Sequence, residues 1–367
     1  MHKITFLCAL TLPLSWSKPN TSSLQVIQEI NSEQISWKAE TNCLDIKSRL
    51  GFLGLHPDPN YKIQTKQHKI SRIISIPESF DAREKWPECK DVIGKIRNQG
   101  NCGSCWAFAS TEVMTDRLCI SSKGKIKFVF SPENLLTCCK DCGCGCKGGY
   151  IKNAWDYYIN EGIASGGDYN SSEGCQPYSE SSFQYAEASE CVKACQNDKY
   201  DVNYDDDKHY GDSFYTLETN VAQIQMEILT NGPVMAYYNV FEDFACHKSG
   251  VYYYKSGKFV GRHSVKVIGW GTEEGIPYWL IANSWGSEWG ELGGFFKMRR
   301  GTNECWIEQE MTAGKVHIEG NERTEEMTTN ATSKAPSSGF RTKGPEFRGV
   351  LIATILLCQI SIKCCLF

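Results

Sequence analysis

Apolar and polar positions along this chain change period several times, and each change marks a different kind of element. Between Leu24 and Glu40, LQVIQEINSEQISWKAE spaces its apolar residues as a modest amphipathic helix would. In CWAFASTEVMTDRLCI, Trp106, Ala109 and Val113 fall at helical spacing, so a helix is predicted to begin near Cys105. RHSVKVIGWG and IPYWLIANSWG are instead β-branched and aromatic runs separated by GTEEG, a strand–turn–strand pattern. Between these regimes lies CCKDCGCGCKGG, residues 138–149, too rich in Gly and Cys for regular structure and expected to be a cross-linked loop. The first half therefore reads as helical and the final third as β-rich.

Both ends depart from this patterning. MHKITFLCALTLPLSWS has a basic start, an apolar run and small residues at Ser15 and Ser17, which predicts a secretory signal over 1–17. Residues 18–75 contain a single cysteine, Cys43, and much Lys, Gln, Ser and Ile. Composition then shifts at IPESFDAREKWPEC, so 18–75 is read as a removable propeptide and 76–318 as the working domain. From 319 to 348 the chain is polar and expected to be flexible. It ends in GVLIATILLCQISIKCCLF, 349–367, apolar apart from Gln359, Lys363 and a few small residues. Small residues at Ser337, Ser338 and Gly339, a polar spacer and an apolar tail follow the order of a glycolipid-anchor signal. A membrane-spanning anchor fits the tail's length as well, Lys363 argues against both, and an unanchored, trimmed tail is the third expectation.

Composition places the chain in a class. With 367 residues, 41% apolar and 22% charged, it is globular, with room for one large domain or two small ones. A net charge of −4 does not suggest a nucleic-acid binder, which usually shows a strongly basic face. In an oxidising compartment, 19 cysteines read as disulfides rather than structural zinc. Sequons at Asn20, Asn170 and Asn330 fit the same secretory route, to the lysosome or the cell exterior.

Candidate chemistry centres on NQGNCGSCWAF, residues 98–108. Cys102 and Cys105 fit three readings: a redox pair, half of a zinc site completed by CCKDCGCGC, or two thiols with different jobs. In the third, Cys105 opens a helix whose N-terminal partial charge favours a thiolate, and Cys102 ties the loop elsewhere. Gln99 would then offer its amide to the oxyanion formed when the thiolate attacks a carbonyl. A thiolate nucleophile needs a base and an orienter for that base. Among His209, His247, His263 and His317, His263 begins the RHSVKVIGWG run. An antiparallel hairpin whose turn is centred near Glu273 sets it opposite Asn283.

QGNCGSCWAF, the His263 segment and ANSWGSEWG, in that order, resemble the papain family of cysteine proteases over roughly 76–318. Within it the cathepsin B branch is the most similar, through IPESFDAREKWPEC, SPENLLTCC, CKGGY, DKHYG, NGPV, KSGVY and NECWIEQEMTAG, and through SWKAE in the leader. The resemblance implies an α+β fold with a helical lobe, a β-barrel-like lobe and a cleft between them. It implies Cys105 as nucleophile, His263 as base, Asn283 as orienter and Gln99 as oxyanion donor. It also implies backbone hydrogen bonds to substrate from Gly149, and Trp285 as a shield over His263 and Asn283. The implied disulfides are Cys89–Cys119, Cys102–Cys146, Cys138–Cys191, Cys139–Cys142 and Cys175–Cys195, with Cys144, Cys246 and Cys305 unassigned. No metal or organic cofactor is implied. The implied partners are protein and peptide substrates, the chain's own propeptide as inhibitor, and a membrane if the tail anchors the protein.

Departures from the family pattern shape the expected specificity. The segment 174–191, GCQPYSESSFQYAEASEC, stands where the branch carries a loop whose two histidines hold a substrate's terminal carboxylate; it is shorter and has no histidine. Endopeptidase action is expected in its place. Glu310 matches an acid at the bottom of the pocket for the second residue before the cut, where it would pair with arginine. Tyr237 would narrow that pocket, and Trp306 replaces a glycine. Arg262 stands before His263 where a small or acidic residue is usual, and Ser264 follows it in place of alanine. A cation so near would lower the imidazole pKa; contact with an acidic substrate and a plain surface arginine are the alternative readings. The leading expectation is a cysteine endopeptidase made as a secreted or lysosomal zymogen. A catalytically impaired homologue that binds peptides or partners and a cysteine-rich metal-binding protein are the alternatives.

Overall fold

A computed structural model describes residues 21–33, 36–40, 43, 45–46, 50, 63–68 and 75–318. The signal, the polar tail, the apolar C-terminal segment, Asn20 and Asn330 lie outside the described residues.

The leader contributes α1 (Thr21–Ser32), β1 (Trp37–Ala39) and β2 (Thr65–Lys66). The expected helix over 24–40 is thus cut short at Ser32, and SWKAE is extended. Side-chain capping explains the change: Asn31 Nδ2 donates to Ala39 O at 2.8 Å, and Ala39 N–H donates to Asn31 Oδ1 at 3.0 Å. An asparagine that ties to backbone eight residues on competes with helix continuation.

Next come β3 (Phe80–Asp81), α2 (Ala82–Lys85), α3 (Lys90–Ile93), α4 (Cys105–Ser121), α5 (Pro132–Cys138), α6 (Ile151–Asn160) and α7 (Glu180–Tyr185). The remainder is mostly strand: β4 (Gly211–Leu217), α8 (Val221–Asn231), β5 (Val234–Phe241), β6 (His247–Tyr252), β7 (Phe259–Glu273), β8 (Ile276–Ala282), β9 (Phe295–Arg299) and β10 (Thr312–Val316). Among the described residues one sheet runs β1-β6-β9-β8-β7-β5-β10-β4-β2, with β3 pairing β7, so leader strands form both ends of the path.

Helix α4 lacks a polar face because it is buried from Cys105 to Cys119. Charges caught in that burial must be matched. Arg117 reaches Glu227 Oε1 at 2.9 Å, Tyr215 Oη at 3.0 Å and the carbonyls of Gly232, Pro233 and Gly314. Asp116 meets Lys266 Nζ of β7 at 2.9 Å. Those pairs fix α4, which carries Cys105, against the sheet, which carries His263.

The β7–β8 hairpin turns at Glu274 and Gly275, both with positive φ, a two-residue turn whose twist suits the flanking strands. Its centre lies one to two residues beyond Glu273. The ladder therefore runs Glu273↔Ile276 to Trp270↔Trp279, shifts at a bulge between Val267 and Gly269, and ends at Lys266↔Ala282. His263 and Asn283 are not ladder partners, and the hairpin register expected from the sequence is displaced.

Six disulfides are formed among the described residues. Five are Cys89–Cys119, Cys102–Cys146, Cys138–Cys191, Cys139–Cys142 and Cys175–Cys195; the sixth joins Cys43 of the leader to Cys246. Cys246, which sequence left without a partner, thus has one, while Cys105, Cys144 and Cys305 lie outside the disulfides. The 138–149 segment is cross-linked as expected, with two short 3-10 turns inside it.

Candidate active site

Cys105 is the first residue of α4, preceded by Ser104 as N-cap. The free N–H groups of that first turn favour negative charge at the sulfur. Cys102 is held apart from it by the bond to Cys146.

His263 lies on β7, fully buried, and its Nε2 is 2.7 Å from Asn283 Oδ1. Ser284 N–H also donates to Oδ1, at 2.8 Å, which fixes that atom as the amide oxygen. Nε2 must therefore carry the proton, and in the neutral imidazole Nδ1 is the basic nitrogen. Although β8 has ended by Asn283, its side chain reaches back to the ring. Trp285 covers the pair with its indole 4.7 Å from the imidazole, and Trp289 backs Trp285 at 5.2 Å.

Tyr238 packs against the expected base. It pairs with His263 across β5 and β7, ring to ring at 5.9 Å. Burial first, then the charges of Cys305 and Cys105, push its phenol well above the ordinary value.

Gln99 is fully buried, with Nε2 donating to Cys102 O at 2.7 Å and Oε1 accepting from Ser284 Oγ at 2.7 Å. The carbonyl can only accept, so the amide's orientation is fixed. Ser284 escaped the sequence reading, yet it sets both amides; its place in the NSWG run beside Asn283 was the available signal. At Gly149 the backbone passes so close that a methyl group would lie 2.5 Å from both the Trp106 ring and Cys142 O. Glycine is required there by packing alone.

Glu310, Tyr237 and Arg262 form one half-buried cluster. Tyr237 Oη donates to Glu310 Oε2 at 3.1 Å, and the Arg262 guanidinium lies 5.8 Å from the Tyr237 ring centre. Burial raises the Glu310 pKa, opposed by that hydrogen bond and by Arg262. Arg262 pairs with Asn239 and Ser264 with Tyr237, so both lie on the sheet face opposite His263. Trp306 keeps a glycine-type backbone at φ 69° with its indole half exposed.

The leader reaches this region. A methyl group at Gly103 would lie 2.9 Å from Leu50 O, and one at Gly261 would lie 3.1 Å from Leu50 Cβ. Leu50 thus touches residues two positions before both Cys105 and His263. Phe183 of α7 crowds the neighbouring loop, accepting from Asn101 N–H at 2.8 Å.

Most of the chain is similar to known proteins. The model of the papain family cysteine proteases matches residues 76–315. Cathepsin B-like cysteine proteinase 4 of Caenorhabditis elegans is 41% identical over 311 residues, 79% of this chain and 91% of that protein. Cathepsin B-like cysteine proteinase 3 of the same organism is 45% identical over 308 residues, 79% of this chain and 81% of that protein. Among solved structures, procathepsin B S9 from Trypanosoma congolense has a TM-score of 0.70 at 33% identity, covering 82% of this chain and 99% of that one. Buried amide–imidazole geometry, a helix-opening thiol and these matches have one reading: the chain belongs to the papain family of cysteine proteases, in its cathepsin B-like branch.

Proposed function

We propose that this protein is a cysteine endopeptidase of the secretory route, made as a zymogen, in which Cys105, His263, Asn283 and Gln99 carry the reaction. The observation that carries the reading is the Asn283 oxygen, fixed by Ser284 N–H and accepting from His263 Nε2–H. With Nε2 occupied, Nδ1 takes the Cys105 proton. The thiolate adds to the substrate carbonyl, and the Gln99 amide hydrogen not bound to Cys102 stabilises the oxyanion. Nδ1–H then protonates the leaving amine as the C–N bond breaks, giving a thioester. Water, deprotonated by the neutral imidazole, hydrolyses that thioester and restores the thiol.

Leu50 against Gly103 and Gly261 supports the leader as occupant of the cleft until it is cut. The segment 174–191 contains Glu180, Glu187 and Glu190 and no cationic side chain, so it offers a terminal carboxylate no opposite charge and favours internal cuts. Asn170 is exposed and open to glycosylation.

Stoichiometric labelling of Cys105 by a peptidyl epoxide, with loss of turnover in Cys105→Ser and retained thermal unfolding, tests the assignment. Turnover of Cys105→Ser near the parent's would overturn it.

A further inference from the structure

Cutting the leader away from the peptidase domain does not free it, because one bond still holds it. Cys43 and Cys246 are 203 residues apart in sequence and joined by a disulfide. Around that bond the leader is docked as an edge strand. β1 pairs antiparallel with β6, Trp37 is buried against His247 and Tyr252, and Lys255 meets Glu33 at 2.5 Å. Ser36 takes a hydrogen bond from Val251 N–H at 3.0 Å, and Glu40 N–H donates to Cys246 O at 2.8 Å. Gly250, at φ 81°, admits this approach, since a methyl group there would lie 2.1 Å from Ser36 O.

We infer that the Cys43–Cys246 bond makes this zymogen a two-key device, in which both a peptide-bond cut and a thiol are needed to open the cleft. The inference rests on the reading of the leader as the cleft's occupant. Any cut between Leu50 and Ile76 leaves a fragment that contains Cys43, β1 and Leu50. Held by non-covalent contacts alone, such a fragment, once dissociated, is diluted away. Held by the disulfide, it rebinds intramolecularly at an effective concentration on the order of millimolar, whatever the dilution.

Release follows thiol–disulfide exchange. Cys246 is buried and Cys43 half-buried, so an incoming thiolate reaches the Cys43 sulfur. One S–S bond forms between the reagent and Cys43 as the Cys43–Cys246 bond breaks, and Cys246 leaves as a thiolate that takes a proton from solvent. A second thiol then displaces Cys43, yielding the reagent's own disulfide and two protein thiols. The co-reactant is a low-molecular-weight thiol or dithiol, so the cut enzyme stays closed in an oxidising exterior and opens where thiols are present.

The test uses the full chain, prepared without reductant and cut in the leader by a non-thiol endopeptidase. Leader retention is followed by non-reducing electrophoresis, and Cys105 accessibility by its rate of labelling with a peptidyl epoxide. Expected are retention of the fragment in the cut parent, labelling at least tenfold slower than in cut Cys43→Ser, and equal rates after a brief dithiothreitol pulse. Separation of the fragment without reductant, or equal rates for the cut parent and cut Cys43→Ser, would overturn the tether. If Cys43→Ser does not accumulate folded, the dithiothreitol arm on the parent decides alone, and no rise in rate after the pulse overturns the proposal. Rapid labelling of the uncut parent would instead overturn the leader's role in the cleft, whatever the disulfide does.

Discussion

Tyr237 donates its hydroxyl to Glu310 Oε2 at 3.1 Å, with Arg262 alongside the same ring. A carboxylate that already holds a hydroxyl and lies near a guanidinium gains less from an incoming cation. The parent enzyme is therefore expected to show little preference for arginine two residues before the cut. Tyr237→Ala should raise kcat/KM for arginine over leucine at that position by about tenfold, the scale of one charge-assisted hydrogen bond, and Glu310→Ala in the same background should abolish the gain. A peptide library profiled on the three proteins checks this; strong arginine preference in the parent contradicts it.

His247 adds an acid response beside the docked leader strand. Burial pushes its pKa down to about 4, with Nε2–H bonded to Gly250 O at 3.2 Å and Nδ1 buried without a hydrogen-bond partner. Above the unperturbed pKa of 6.5 the ring is neutral in folded and unfolded chains, and no penalty exists. As pH falls from there towards about 4, the unfolded chain takes a proton that the folded one refuses, so stability declines through that window. The full loss is on the order of 3 kcal/mol. His247→Phe, in a Cys105→Ser background that prevents self-cleavage, should lose less stability between pH 7 and pH 4 than its parent by about that amount. Denaturant unfolding at both pH values measures it.

Cys102 and Cys105 should separate cleanly under mutation. Cys102→Ser removes the bond to Cys146, which closes a loop across 44 residues, and a native disulfide of that kind stabilises by about 2–4 kcal/mol. Its unfolding midpoint should fall while the folded fraction still labels at Cys105. Cys105→Ser should leave the midpoint nearly unchanged and abolish turnover. Calorimetry and active-site titration on both variants distinguish the two thiols.

How much of this was legible in sequence depended on the range of the interaction. The start of α4 at Cys105 and the alternation in β7 and β8 are local patterns, and they were readable. The hairpin register was not, because it turns on positive φ at Glu274 and Gly275 and on a bulge near Ile268. Asn283 nevertheless reaches His263, since its side chain spans what the ladder does not. Cys43–Cys246 was invisible for another reason: spacing says nothing about two cysteines 203 positions apart, and Cys246 was one of three left unassigned. Ser284 and Tyr178 act only through three-dimensional neighbours; Tyr178 Oη bonds both Ser104 and the Gln99 carbonyl, bracing the loop from the far side.

The last prediction concerns where substrates are cut. Holding a free terminal carboxylate beside a cleft takes a cation or a set of aimed N–H donors. In 174–191 the charged side chains are Glu180, Glu187 and Glu190, and α7 turns the Phe183 and Gln184 carbonyls, acceptors only, towards Asn101. A chain end placed there meets like charge, whereas a continuing peptide meets neutral backbone. The activated protein is therefore expected to cut within long peptides and to remove few carboxy-terminal dipeptides. Placing histidines in the segment, as Ser181→His with Ser182→His, should not confer trimming unless the ring nitrogens reach the cleft. Ser182 is buried, gives its backbone N–H to the N-cap hydroxyl of Ser179 and contacts Glu133 Oε1 with its own hydroxyl, so a larger side chain there should first cost stability. Mass spectrometry of a digested twenty-residue peptide reads the outcome: internal fragments are expected, and a ladder of successive two-residue losses from the carboxyl end would contradict the assignment.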